Sequence, residues 1–387
     1  MKNMRTQLNT QDIELLDYFT KTRNIKPKTK KLYRITLSEY TSYYNTTLTQ
    51  LFEEAENEEE QGIRWKHRIL KKRLIEYRVH LHNTHSKNTA EHRFNRIRAF
   101  YKHFDIEIHD LPVFNKNDDT PPINYKNLPD KEIIRAAIDI AAPVMKPIIL
   151  FMVSSGCAKA ETLNLTIMDY MKATYEYHQT NNIEEMINRL NQIDDVIPTF
   201  HLKRQKTGKY YTTFCSPETV RAINLYLSDR KDPLTPEKKL FKINGDHFSV
   251  KFGEINDELG LGKVGVFRRF RSHMLRKFNA SALMNDGMSR ETINDLQGKS
   301  KNRIDEAYFF NTDEALKEEY IQHLPAVTMS KEVEKVTVKS PEYIKLENKN
   351  RNLQETVNQQ QNKYETIIKR IEALENKSDE DVLSKFR

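Results

Sequence analysis

Between Leu111 and Pro122 the chain carries three prolines within a largely polar run. Proline fixes φ and removes a backbone donor, and it pushes the preceding residue toward extended conformations. No regular helix or central strand is expected to run through such a segment, so it reads as an extended connection. That break divides the 387 residues into a domain over 1–112, a linker over 113–124, a second domain over 125–324 and an extension over 325–387.

Both sides of the break read as mainly helical. Apolar residues recur at helical spacing over Asp12–Thr22 and Thr29–Tyr44, where Leu32, Ile35, Leu37 and Tyr40 mark the expected core face. Thr29, just after Pro27, is the expected cap. Two further helices are expected over Arg64–Asn83 and Asn88–Phe104, with the acidic run Glu53–Glu60 as a solvated helix end or loop. In the second domain helices are expected over Asp130–Ala142, Val144–Ser155 and Ala160–Met171. A β-hairpin over Thr199–Cys215 follows, turning at Lys206-Thr-Gly-Lys209. The fold class is therefore mainly α with a small β-hairpin. Leu346, Asn350, Leu353, Val357, Gln360, Tyr364, Ile367, Ile371 and Leu374 step by four and three, which predicts a short coiled coil over 343–376.

The formal net charge of +8 points to a polyanionic partner, whether DNA, RNA or an acidic membrane surface, and selects no chemistry. Arg64–Lys102 holds twelve Lys or Arg against two Glu, interleaved with Trp65, Tyr77, Phe94, Phe100 and Tyr101. Helices with that pattern turn their aromatics inward and offer Arg64, Lys71, Lys72, Arg93, Arg96 and Lys102 to phosphates, although an ordinary solvated face has the same composition. The six histidines from His67 to His103 sit in no metal-ligand pattern, so no metal is expected. Two cysteines, Cys157 and Cys215, indicate no disulfide framework and read as small buried residues. The first residues show no signal sequence, and the longest apolar run, Ile148–Val153, falls far short of the roughly 20 residues a membrane span needs. The expected setting is a reducing cytoplasm, associated with the nucleoid.

The most informative stretch is Phe270-Arg-Ser-His-Met-Leu-Arg-Lys-Phe278, followed by Gly298-Lys-Ser-Lys-Asn-Arg-Ile-Asp-Glu-Ala-Tyr-Phe309. His273 and Arg276 are three apart and share one helix face, setting a proton-transfer group beside a fixed cation. Such a pair recurs often by chance. Tyr308 is likewise one of 18 tyrosines, and taken alone it reads as a half-buried core residue.

Taken together, these residues resemble the active-site half of the tyrosine recombinase (phage-type integrase) family. The resemblance extends upstream. Ser154-Ser-Gly-Cys-Ala-Lys-Ala-Glu-Thr-Leu-Asn-Leu-Thr166 is similar to the family's first arginine box, and Lys206 falls where the family has its hairpin lysine. The helical first domain is similar to the core-binding domain, and the match spans about residues 12 to 324. The resemblance implies a recombinase with Tyr308 as nucleophile, Arg276 and His273 at the phosphate, and Lys206 protonating the departing 5′ oxygen. A phosphotyrosyl link stores the bond energy, so neither ATP nor a metal cofactor is implied. It also implies tetramers on two duplex DNA sites, with two domains clamping the duplex, and 311–323 as a helix that docks on a neighbouring subunit.

Two positions depart from the family pattern. Lys299 stands where a second His is usual, and archaeal-type integrases are similar in accepting Lys there. The first arginine is missing: one register puts Ala158 in its slot, another Lys159, and Lys159 is the favoured cation. Lysine would keep the charge but lose the bidentate grip. Glu161 reads as a structural partner of the cations. Two alternatives stay open, a weakened or inactive DNA-binding protein on the same fold and an unrelated basic nucleic-acid-binding scaffold.

Overall fold

The computed structural model describes residues 8–114, 125–299 and 312–330, together with scattered positions between 349 and 364. The chain divides into two compact units, with the boundary at Pro121/Pro122. Each is mainly helical.

The first unit comprises α1 (Thr10–Thr22), α2 (Pro27–Tyr44), α3 (Leu48–Glu60), α4 (Ile69–Thr84) and α5 (Lys87–His103). Its core is aromatic: Phe19, Tyr40, Tyr77, Phe100 and Tyr101 are buried. Phe19 meets Phe100, and Tyr40 meets Tyr77, edge-on at ring separations of 5.4 and 4.9 Å, the geometry that ring quadrupoles favour. Helix α2 departs from expectation. It starts at Pro27, whose fixed φ suits the first helical position, with Lys26 rather than Thr29 at the cap. Its buried face is Tyr33, Thr36, Leu37, Tyr40 and Thr41, while Leu32 and Ile35 are each 40% exposed. Leu37 and Tyr40 lie inward as expected, Leu32 and Ile35 do not, and tyrosine and threonine complete the inward stripe.

The acidic run is the C-terminal part of α3, and its carboxylates anchor α4. Glu58 accepts from the backbone N–H groups of Ile69 and Leu70 at 2.5 and 3.2 Å, satisfying two orphan donors of α4. Glu54 pairs with Arg73 in a bidentate contact, and Glu59 pairs with Arg68. The helix expected over Arg64–Asn83 is correspondingly interrupted: a 3₁₀ turn at Trp65–His67 precedes α4.

The second unit is built around α7 (Met145–Ser155), all of whose residues except Lys146 are buried. A helix apolar on every side must be central, and the apolar run Ile148–Val153 is that centre. Helix α6 (Lys131–Ile140) precedes it. The expected helix over Ala160–Met171 is two helices, α8 (Lys159–Asn164) and α9 (Ile167–His178). The chain is extended at Leu165 and Thr166, where the Leu165 carbonyl accepts from Leu240 N and Thr166 opens α9 with a capping box on Asp169. After α10 (Ile183–Leu190), β1 (Thr199–Lys203) and β2 (Tyr210–Phe214) form the expected antiparallel hairpin, with Lys203 opposite Tyr210. Then come α11 (Pro217–Ser228), α12 (Gly245–Glu258), an unexpected short hairpin β3 (Lys263–Val264) and β4 (Phe267–Arg268), α13 (Ser272–Asn285) and α14 (Arg290–Leu296). Helix α7 packs against α11 and α13.

Helix α15 (Asp313–Gln322) and the short α16 (Leu324–Val327) close the described part of this unit. Helix α15, which covers the segment expected to dock on a neighbouring subunit, buries Leu316, Tyr320 and Ile321 in a cluster with Phe214, Leu283 and Leu296. The predicted coiled coil lies mostly outside the described residues; Leu353, Val357 and Tyr364 are helical and exposed. No helix among the described residues is long and apolar enough to cross a membrane.

Asp12, 2% exposed, joins the ends of α1 and α3. One oxygen closes the α1 capping box at Asn9, and the other accepts from Thr49 N and Oγ1 at 2.9 and 3.0 Å. Asp12→Ala leaves buried donors unmet and should lower stability by about 1–3 kcal/mol. Asp17→Ala, which breaks only the exposed pair with Lys30, should cost under about 1 kcal/mol. Urea unfolding of the two variants followed by circular dichroism checks the contrast.

Candidate phosphate-binding site

The site is assembled at the C-terminal end of α7. A helix leaves its last carbonyls without intrahelical partners and carries partial negative charge there. Here side chains from elsewhere in the unit meet them. Asn279 donates through Nδ2 to the Val153 and Ser154 carbonyls at 2.9 and 3.0 Å, Tyr320 to Ser154 at 3.1 Å, and Thr213 to Ser155 at 2.9 Å. Arg276 donates through Nη1 to the Gly156 carbonyl at 2.6 Å and through Nη2 to that of Gln297 at 2.7 Å. Gln297 closes the ring, donating to Asn279 Oδ1 at 2.8 Å and to the Arg276 carbonyl at 3.2 Å.

Two glycines permit this closeness. Gly156 ends α7 at φ +65°, and a Cβ there would fall 2.3 Å from Asn279 Oδ1. Gly298 follows α14 at φ +58°, and its Cβ would strike the Tyr211 ring at 2.6 Å. The first glycine opens the arginine-box segment and the second precedes Lys299, so two sequence motifs meet in space through their turns.

Arg276 forms the floor at 7% exposure. Burial pulls its guanidinium pKa below the ordinary arginine value, Arg204 adds repulsion, and Cys157, Tyr211 and Glu161 act the other way. Arg204, half-buried just past β1, donates through Nη1 to the Gln297 and Gly298 carbonyls at 2.8 and 3.0 Å. The two guanidinium groups therefore share one carbonyl oxygen. Lys299 is half-buried, and its ammonium pKa is held below the usual lysine value by burial and by Arg276, Arg204 and Arg290. His273 is exposed in the first turn of α13, beside buried Met274 and Leu275. Its ring pKa is lowered by partial desolvation and by Lys277, Arg271 and Arg276, all of which favour the neutral imidazole. Arg276, Lys299 and His273 thus fall in one electrostatic neighbourhood.

The remaining expected site residues lie as follows. Lys206 is exposed in the β1–β2 turn, two residues beyond Arg204. Lys159 directs its ammonium to the Gly245 carbonyl at 2.5 Å and Ser249 Oγ at 2.6 Å, and over the Phe248 ring. Ala158 caps α8, and Cys157 is buried with Sγ 3.5 Å from the Tyr211 hydroxyl. Glu161, 7% exposed, accepts from Gln205 N at 3.1 Å, tying α8 to the hairpin turn. Tyr308 lies outside the described residues. In the first unit Arg64, Lys72 and Lys102 are exposed and Lys71 is half-buried. Arg96 donates to Thr36 at 3.3 Å, and Arg93 pairs with Glu39, so these two are engaged within the unit. Arg204 was not among the expected site residues, although it shares the Gln297 carbonyl with Arg276. It is one of four cations between 203 and 209, and nothing in their order singles it out.

No family model matches the chain, and no curated protein matches it. Solved structures do. The XerH site-specific recombinase bound to a palindromic difH substrate in a post-cleavage complex is 16% identical, with 81% of this chain and 89% of that one covered and a TM-score of 0.49. The Tn1549 transposon integrase in complex with circular intermediate DNA is 14% identical, with 80% and 98% covered and a TM-score of 0.44. The integrase from mycobacterium phage Brujita is 10% identical, with 86% and 97% covered and a TM-score of 0.35. These are distant likenesses, and the chemistry is read from the residues of the site.

Gly156→Ala should lose the strain cost of a left-handed alanine, about 1–3 kcal/mol, plus the displacement of Asn279. Gly260→Ala, at φ +62° with nothing within 4 Å of the added methyl, should lose the strain cost alone. The difference between their unfolding free energies measures how tightly the ring of hydrogen bonds is packed.

Proposed function

We propose that this chain is a site-specific DNA recombinase of the tyrosine recombinase family, cleaving and rejoining duplex DNA through a 3′-phosphotyrosyl intermediate at Tyr308. The observation that carries the reading is that Arg276, one turn after His273 on α13, holds the carbonyls of Gly156 and Gln297, from two separate motifs, the latter two residues before Lys299. A set of clustered cations is a site for an anion, and attack on a phosphodiester builds further negative charge on its nonbridging oxygens.

In the proposed step the phenolic oxygen of Tyr308 bonds to phosphorus as the bond from phosphorus to the 5′ oxygen breaks. The phenol proton passes to His273, whose lowered pKa leaves it free to accept. Lys206, on the exposed hairpin turn, supplies a proton to the 5′ oxygen. Rejoining runs the same transfers backward. Arg276 retains N–H groups beyond the two its carbonyl contacts use, since a guanidinium carries five. Exposed Arg64, Lys72 and Lys102 on the first unit add sequence-independent phosphate contacts. Assembly as a tetramer on two duplex sites belongs to the same proposal, with the coiled-coil segment as a dimer contact. A second reading, a DNA-binding protein with weakened cleavage, is favoured by one observation: Lys159 is engaged at Gly245 and Ser249.

The test is a nicked suicide substrate. The chain should form a covalent protein–DNA adduct that Tyr308→Phe abolishes; DNA binding without any adduct supports the second reading. Because His273 accepts the proton only when neutral, adduct formation should fall off only as pH drops below the ordinary histidine value of 6.5. His273→Gln should slow the reaction by about 10²- to 10⁴-fold and remove that acid limb, as single-turnover rates between pH 5 and 8 will report.

A further inference from the structure

Neither residue of the first arginine slot brings a cation to the Arg276 neighbourhood. Ala158 carries none, and Lys159 turns its ammonium to Gly245 and Ser249. Cys157, beside them, is a fully buried thiol. A cation does arrive from another element. Arg204 reaches across from the β1–β2 hairpin and lands on the carbonyl that Arg276 also holds.

We propose that Arg204 is the second guanidinium of the phosphate cradle, contacting a nonbridging oxygen of the scissile phosphate in place of the absent first arginine. The inference rests on the recombinase reading above and adds a residue which that reading did not contain.

Three observations carry it. Arg204, Arg276 and Lys299 have no carboxylate within ion-pair distance among the described residues, although Arg68, Arg73, Arg189, Arg230 and Arg268 all have one. Like charges held together repel, Glu161 offsets only part of this at Arg276 and forms no ion pair there, and an incoming dianionic transition state relieves what remains. Next, only Nη1 of Arg204 meets the Gln297 and Gly298 carbonyls. The edge formed by Nε and Nη2 remains, and that edge matches two phosphate oxygens. Finally, Arg204 and Lys299 are half-buried where Arg276 is buried, so an approaching phosphate reaches Arg204 and Lys299 more readily than Arg276.

Arg204 also ties the hairpin to the Gln297–Gly298 turn, and a purely structural clip would make the same two bonds. A neutral phosphate separates the roles. In a methylphosphonate linkage one nonbridging oxygen is replaced by a methyl group, and the demand for one cation goes with it. Release of the 5′ strand from a nicked substrate is measured for the full chain, Arg204→Ala and Arg204→Lys, with phosphate or methylphosphonate at the scissile position. On phosphate, Arg204→Ala should be about 10²- to 10³-fold slower than the unaltered chain, and Arg204→Lys intermediate. On methylphosphonate both variants should come within about tenfold of the unaltered chain.

An Arg204→Ala rate equal to that of the unaltered chain on phosphate overturns the proposal. So does a defect of equal size on both substrates, because that is the mark of a clip. If Arg204→Ala does not fold, as judged by circular dichroism, Arg204→Lys keeps a donor for the turn and decides by the same comparison. An unaltered chain that releases no strand and forms no adduct overturns the recombinase reading itself, and this inference with it. An adduct with an Arg204-independent rate overturns this inference alone.

Discussion

The second unit depends on how one buried helix ends. Helix α7 is enclosed in apolar side chains, so water cannot meet its last carbonyls, and an unmet buried carbonyl is costly. Asn279, Arg276, Thr213 and Tyr320 meet them, from a helix, a strand and a later helix. The same requirement explains why polar residues penetrate the core here. It also explains why two of them, Arg276 and Asn279, lie one helical step apart on α13. Partial negative charge at the helix end draws a guanidinium to this place, and the guanidinium in turn makes the place attractive to anions.

Much of this was legible in the sequence, and what was missed has physical causes. The break at the prolines, the hairpin at 199–215 and the central helix around Ile148–Val153 follow from backbone chemistry and continuous apolar patterning. Register on α2 did not, because Tyr33, Thr36 and Thr41 are buried while Leu32 and Ile35 face outward. Helical period fixes the spacing of a stripe, yet it leaves open which of two neighbouring stripes is inward when polar residues carry hydroxyls that find partners. The split between α8 and α9 comes from pairing of Leu165 with Leu240, seventy-five residues away, which no local pattern encodes.

The site shows the same division. His273, Arg276 and Lys299 stood out in the sequence because they sit on short motifs whose spacing is set by one helix or one turn. Arg204 did not, since its partners are backbone carbonyls, and a carbonyl has no residue identity to recognise. Lys159 illustrates the converse. Its place in the motif suggests a cation for the site, but the side chain is long enough to reach the start of α12, and there it finds a carbonyl, a hydroxyl and an aromatic ring. Position along a motif determines where a Cα lies, while a flexible side chain settles by what surrounds it.

That the end of α7 is closed by groups from residue 213 to residue 320 has a bearing on when the chain acquires its charge cluster. During synthesis the α7 segment emerges well before Arg276, and α15 leaves later still. A chain that has not yet released α15 lacks the Tyr320 hydroxyl that meets the Ser154 carbonyl, so one acceptor at the end of α7 stays unmet until then. The charge cluster is therefore complete only when groups from all of these elements have come together around the end of α7.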